Sequence, residues 1–150
     1  MPMTPEEAYE VTTSRFETDW AAGAANYTGG TIAAPPIRWD GREKGAIPKG
    51  YFCRFSMQWV LERQRTFRNG EDQRYVSAGV LFIQVFGPRD GDELVLKRMR
   101  TLSTAARNIF RGQSFDGCIL FRNVRVVNLE PLDSYHRTNV VMEWEYDEIA

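Results

Sequence analysis

His136 is the single histidine of this 150-residue chain, and it stands in "DSYHRT", which reads as a polar turn. Any serine- or cysteine-type catalysis would need that one imidazole as its base. The two thiols, Cys53 and Cys118, fall in apolar strand-like runs, where a thiolate is disfavoured. One histidine and two dispersed cysteines cannot form a tetrahedral zinc set, and no D-x-D-x-D-G run offers a calcium loop. Paired carboxylates can do acid–base work, yet no spacing singles a pair out. The stretch "GVLFIQVFGPRDGDEL" (79–94) has the strand, glycine turn and helix start of a phosphate-binding loop. It lacks the Gly-Lys-Ser/Thr ending that holds phosphate and magnesium. Asp90, Asp92 and Glu93 already occupy the positive end of the following helix, and Gly87 and Gly91 do not make a G-x-G-x-x-G set. The segment reads as a connection. No catalytic, cofactor-binding or metal-binding set emerges.

Two charge patterns remain. On the last strand-like run, Val140, Met142, Trp144 and Tyr146 alternate with Glu143, Glu145 and Asp147. One face is core, and the other is a row of acids that needs solvent or a basic partner. On the helical stretch after Asp92, Lys97, Arg100, Arg107 and Arg111 fall near one face, opposite the apolar stripe. Both patterns fit ordinary solvated faces; both also fit surfaces that meet partners.

The elements behind these residues follow from capping and periodicity. Thr4-Pro5-Glu6-Glu7 is a capping box with proline at the first helical position. Tyr9, Thr12, Thr13, Phe16 and Trp20 continue it as one stripe, with a stop expected near Gly23. The glycine-rich segment 23–50, with Pro35, Pro36 and Pro48, reads as loop carrying a short strand, Ile37-Arg38-Trp39. Next, Cys53, Phe55, Met57, Trp59 and Leu61 alternate with Arg54, Ser56, Gln58 and Glu62. Unbroken from Tyr51 to Phe67, that strand would reach on the order of 50 Å, too long for one small domain. A bulge must bend it, or its end must project as a hairpin turning at Asn69-Gly70 and returning through 74–86. A helix over 92–111 buries Val95, Met99, Leu102, Ala106 and Ile109 and ends at Gly112. Strands over 118–129 and 138–147, joined through Pro131 and Asp133-Ser134, close the chain.

The expected fold is therefore one α+β domain over 1–150. An antiparallel or mixed sheet with a long β-hairpin packs against an N-terminal helix and one central helix. A composition of 43% hydrophobic residues supports such a core, and a net charge of −1 gives no field for nucleic acid. The polar opening "MPMTPEEAYE" does not read as a secretory signal, and no apolar run nears the roughly 20 residues that span a bilayer. Both cysteines are expected reduced. Of 19 basic residues 16 are arginine, a bias that suits protein interfaces.

This arrangement resembles the tail terminator, or tail-completion, proteins of long-tailed bacteriophages. The likeness runs over nearly the whole chain. It rests on the amphipathic first helix, the "PIRWDG" strand, and the arms "YFCRFSMQWVLERQRTF" and "RYVSAGVLFIQVF". The "GPRDGDE" turn into a helix, and the closing "VVMEWEYDEI", complete it. Gly79, Gly91 and the aromatic alternation of the last strand are the closest matches. The resemblance implies a virion structural protein with no enzymatic activity and no cofactor, assembled in the host cytoplasm. Such proteins form a hexameric ring on the head-proximal end of the tail tube, stop its growth and dock the head–tail connector. It implies self-association, contact with tube and connector proteins, and DNA passing through the lumen without specific binding. The hairpin tip Arg68, Asn69, Gly70, Glu71 and Asp72 would touch a neighbouring ring. Glu143, Glu145 and Asp147 would face the lumen, and Lys97, Arg100, Arg107 and Arg111 would pair with acids of an adjacent subunit or ring. Alternative readings are another connector or tube-like ring protein, a monomeric binding module, or a small enzyme with a carboxylate site.

Overall fold

The computed structural model describes residues 3–27, 34–41, 45–46, 50–64, 74–89, 92–132 and 134–149. Its elements are α1 (Pro5–Tyr27), β1 (Ile37–Trp39), β2 (Phe52–Gln64), β3 (Arg74–Pro88), α2 (Asp92–Phe110), β4 (Ser114–Phe115), β5 (Ile119–Leu132) and β6 (Tyr135–Ile149). The six strands form one mixed sheet, curled into a half-barrel, in the order β1-β2-β3-β6-β5-β4. Only the β1–β2 pair is parallel. The α+β expectation holds, down to the long hairpin and the two helices. Among the described residues no helix is long and apolar enough to cross a membrane.

The first helix starts as its capping box requires. The Glu7 amide donates to Thr4 Oγ1 at 3.2 Å, and the Thr4 amide donates to Glu7 Oε2 at 2.9 Å. It does not stop at Gly23 but continues to Tyr27. Trp20 and Ala24 are buried on its inner face, and the neighbouring alanines are strong helix formers. Their packing and propensity outweigh the roughly 1 kcal/mol that one internal glycine costs.

Of the two ways to accommodate the long second strand, a bulge or a projecting end, the bulge is present. Trp59 pairs with Gly79 and Leu61 with Ala78, so Val60 is the extra residue. Cys53, Phe55 and Met57 face the core as the alternation predicts. Leu61 does not: the inserted residue reverses the phase, and Leu61 is 51% exposed beside Val60 at 69%. Gly79 fits this point for a steric reason. A Cβ there would fall far inside contact range of the Gln58 carbonyl oxygen and 2.6 Å from Trp144 Cζ2. The missing methyl lets Trp59 and Trp144 meet edge to face, with ring centroids 4.9 Å apart.

Both helices cover one face of the sheet. Phe16 of α1 lies against Trp20, Trp39, Phe55 and Phe110, with centroids 5.6–6.2 Å apart. From α2, Val95, Met99, Leu102 and Ala106 are buried as their spacing predicts. The helix closes through Gly112, whose φ of 70° is the left-handed cap conformation. A short strand unforeseen in the sequence, β4, then pairs with the start of β5. The last two strands are longer than their hydrophobic runs suggest, because β6 pairs with β3 along its whole length. That pairing draws His136 into a strand opposite Gly87, where "DSYHRT" reads as a turn.

Candidate interaction surfaces

The acid row lies where the alternation predicts. Val140, Met142, Trp144 and Tyr146 are buried, while Glu143 is exposed and Glu145 and Asp147 are half-exposed on the face away from the helices. The row is not bare. Cross-strand pairing sets β5 beside it, with Leu120 opposite Glu145 and Arg122 opposite Glu143. The Arg122 guanidinium donates to Glu145 Oε1, and Asn123 Nδ2 donates to Glu143 Oε2 at 2.6 Å. At Asn123 the backbone turns left-handed (φ 53°), and the register shifts between Arg122 and Arg125. This kink lets two side chains of one strand serve two carboxylates of the next. The Arg122–Glu145 pair is solvent-exposed and contributes at most about 1 kcal/mol. It lowers the net negative charge of the face.

The basic face is on the opposite side of the molecule. Lys97, Arg100 and Arg111 are exposed and Arg107 is half-exposed, while the buried stripe of α2 turns toward the sheet. The buried stripe of α2 and the sheet lie between this face and Glu143 and Glu145, so the two patterns do not meet within one molecule. The hairpin tip, Arg68 to Asp72, lies outside the described residues.

The groups capable of covalent or metal chemistry are dispersed. Cys53 is fully buried, and that burial pushes its thiol pKa far up. Cys118 sits in the turn before β5, and its thiol donates to the Asp116 carbonyl at 3.1 Å. Both cysteines are free. His136 Nε2 is buried and makes no hydrogen bond among the described residues. Among those residues no three His, Cys, Asp or Glu side chains group to hold a metal. Tyr146 has its phenol pKa raised, chiefly by burial, although Trp59 Nε1 donates to its oxygen at 3.0 Å.

The sheet's edges are surfaces that the residue patterns did not single out. Strand β1 covers β2 only at Cys53 to Phe55. Strand β4 covers β5 only at Ile119 and Leu120. Among the described residues, Ser56 to Gln64 on one edge and Phe121 to Leu132 on the other pair with no outer strand. The β2 edge shows Val60 and Leu61; the β5 edge shows Val126, Val127 and Leu132, between 37% and 48% exposed. The signal was present in the sequence as adjacent apolar pairs, Val60-Leu61 and Val126-Val127, which no strict alternation can bury together.

No protein-family model matches the chain, and no curated protein does. Among solved structures, 17 chains match. One of these, a protein named only by a sequence identifier, is 15% identical and superposes with a TM-score of 0.61. The match covers 92% of this chain and 94% of that one. At such identity the likeness is one of fold.

Proposed function

We propose that this chain is a structural subunit of a long-tailed bacteriophage. Several copies form a ring on the head-proximal end of the tail tube, end its growth and offer a docking surface to the head–tail connector. The observation that carries this reading is that, among the described residues, two sheet edges lack an outer strand over most of their length and bear exposed aliphatic side chains. Such edges are templates for pairing with another chain, which suits an assembling subunit. The order of elements along the chain, from the capped first helix to the aromatic-alternating last strand, supports the same reading through its resemblance to tail terminators.

In the ring, Glu143, Glu145 and Asp147 face the passage, where carboxylates repel DNA phosphates and keep transit free of binding. Arg122 moderates that wall at Glu145. Lys97, Arg100, Arg107 and Arg111, on the far side of the subunit, meet acids of a neighbouring subunit or ring.

The test combines light scattering across a concentration series with negative-stain imaging, alone and with purified tail tubes. Rings of about six subunits with a central hole, seated on tube ends and arresting tube extension, are expected. Tubes that keep growing and carry no ring at saturating protein would sink the reading.

A further inference from the structure

We infer that copies of this chain join by continuing their sheets: the β2 edge of one copy, from Ser56 to Arg63, pairs antiparallel with the β5 edge of the next. Closure into a ring rests on the function proposed above; the edge-to-edge contact itself does not.

Strand direction is the first reason. The β2–β3, β3–β6 and β6–β5 pairs are all antiparallel, so β2 and β5 run opposite ways at the two sides of one sheet. A copy rotated about an axis along the strands keeps its strand directions. Its β5 then arrives antiparallel to the first copy's β2, and the alternation of the sheet continues unbroken. Repeating the operation pairs the uncovered β2 and β5 stretches of every copy, and a closed assembly leaves neither without a partner. Pairing about a two-fold axis, β2 to β2, would leave both β5 edges open.

The second reason is how sharply the open stretches are bounded. On β5 the Asn123 carbonyl accepts Arg125 Nη1 at 2.9 Å, and the Glu130 carbonyl accepts Arg137 Nε at 2.8 Å. Pro131 follows, with no amide to offer. Beyond the far end of β5, the Met3 amide donates to the Asp147 carbonyl and closes that part of β6. Among the described residues, what has no outer strand is the stretch bearing the exposed Val126 and Val127. The β2 stretch is apolar too: its bulge places Val60 and Leu61 on the acid-bearing face of the sheet, where they line a cavity with Ala78, Arg122 and Glu145 at the β2 margin. Apolar pairs on facing edges are the side-chain unit that stabilises antiparallel strands. Arg125 and Glu130 on β5, and Glu62 and Arg63 on β2, supply both signs of charge to each edge.

Disulfide trapping tests this directly. In a Cys118→Ser background, Val60→Cys and Val127→Cys are made separately and together, then oxidised mildly across a concentration series, alone and on tail tubes. The double variant is expected to give a ladder of covalent multiples of the 17.3 kDa chain. Each single variant should stay monomeric on a denaturing gel. An equal mixture of the two single variants should give dimers and nothing longer. Dimers from Val60→Cys alone would overturn the inference in favour of two-fold pairing, and no ladder from the double variant under any condition would overturn it outright. As an independent arm, Val60→Asp and Val127→Asp should each raise the concentration needed for assembly at least tenfold while leaving far-ultraviolet circular dichroism unchanged. Assembly at the unaltered concentration would refute the contact. A ladder without tube capping sinks only the tail-terminator reading, and capping without a ladder sinks only this contact.

Discussion

Replacing Gly79 with alanine tests the architecture at its tightest point. The added methyl would fall well inside van der Waals range of the Gln58 carbonyl oxygen, 2.9 Å from its carbon and 2.6 Å from Trp144 Cζ2. Carbon atoms prefer about 3.5–4.0 Å, so β2 must retreat from β3 by roughly 1 Å or more at the bulge. Overpacking of this kind costs about 1–3 kcal/mol. Two weakened ladder hydrogen bonds add about 1 kcal/mol each, and a disturbed Trp59–Trp144 contact about 0.5–1.5 kcal/mol. The lower backbone entropy of unfolded alanine returns about 0.5–1 kcal/mol. The net expectation is a loss of about 3–5 kcal/mol, a large part of the ~5–15 kcal/mol that holds a typical domain. For a chain of this size that lowers Tm by about 6–20 °C. Urea unfolding followed by tryptophan fluorescence reads it, since Trp59 and Trp144 lie at the perturbed site. A second variant, Gly79→Ala with Trp144→Leu, separates the causes: the nearest clash is with backbone, so removing the indole should not restore stability. A Gly79→Ala loss under about 1 kcal/mol, or full rescue by Trp144→Leu, would refute the steric account.

Gly23→Ala should act in the opposite sense. The position is helical, and a Cβ there meets nothing within 4 Å, so a gain of about 0.5–1 kcal/mol is expected in the same urea assay. High pH should weaken the fold through Cys53 and Tyr146. Burial raises both folded-state pKa values, so their stabilising effect is complete below the unfolded values, near 8.5 and 10, and is lost as pH rises above them. Midpoints measured from pH 7 to 11 should fall, and Cys53→Ala should flatten the onset near pH 9; an unchanged onset would exclude that thiol. Glu143→Lys with Glu145→Lys should leave the fold intact, because Glu143 is exposed and the Arg122–Glu145 pair that is lost contributes at most about 1 kcal/mol. In the phage ring proposed above, particles carrying the pair should assemble yet eject DNA more slowly, by severalfold. Normal ejection kinetics and infection would sink the proposal that these acids line a DNA passage.

Local chemistry was readable along the chain. The Thr4–Glu7 capping box, the α2 stripe through Val95, Met99 and Leu102, the β6 alternation and the cap at Gly112 each depend on neighbours a few residues away, and each formed as its pattern requires. Strand length alone left two solutions for β2, a bulge or a projecting hairpin end, and the structure has the bulge at Val60. Tertiary packing decided the rest. It carried α1 past Gly23, because buried Trp20 and Ala24 outweigh a glycine's propensity. It turned Leu61 outward, because one inserted residue reverses a period of two. It drew His136 into a strand, because β3 offered a full-length partner. It set Arg122 and Asn123 beside Glu145 and Glu143, and among the described residues it left most of β2 and β5 without an outer strand. A strand's partners lie many residues away in sequence, and whether its edge is covered depends on how the whole sheet is ordered, which hydrophobic periodicity does not encode.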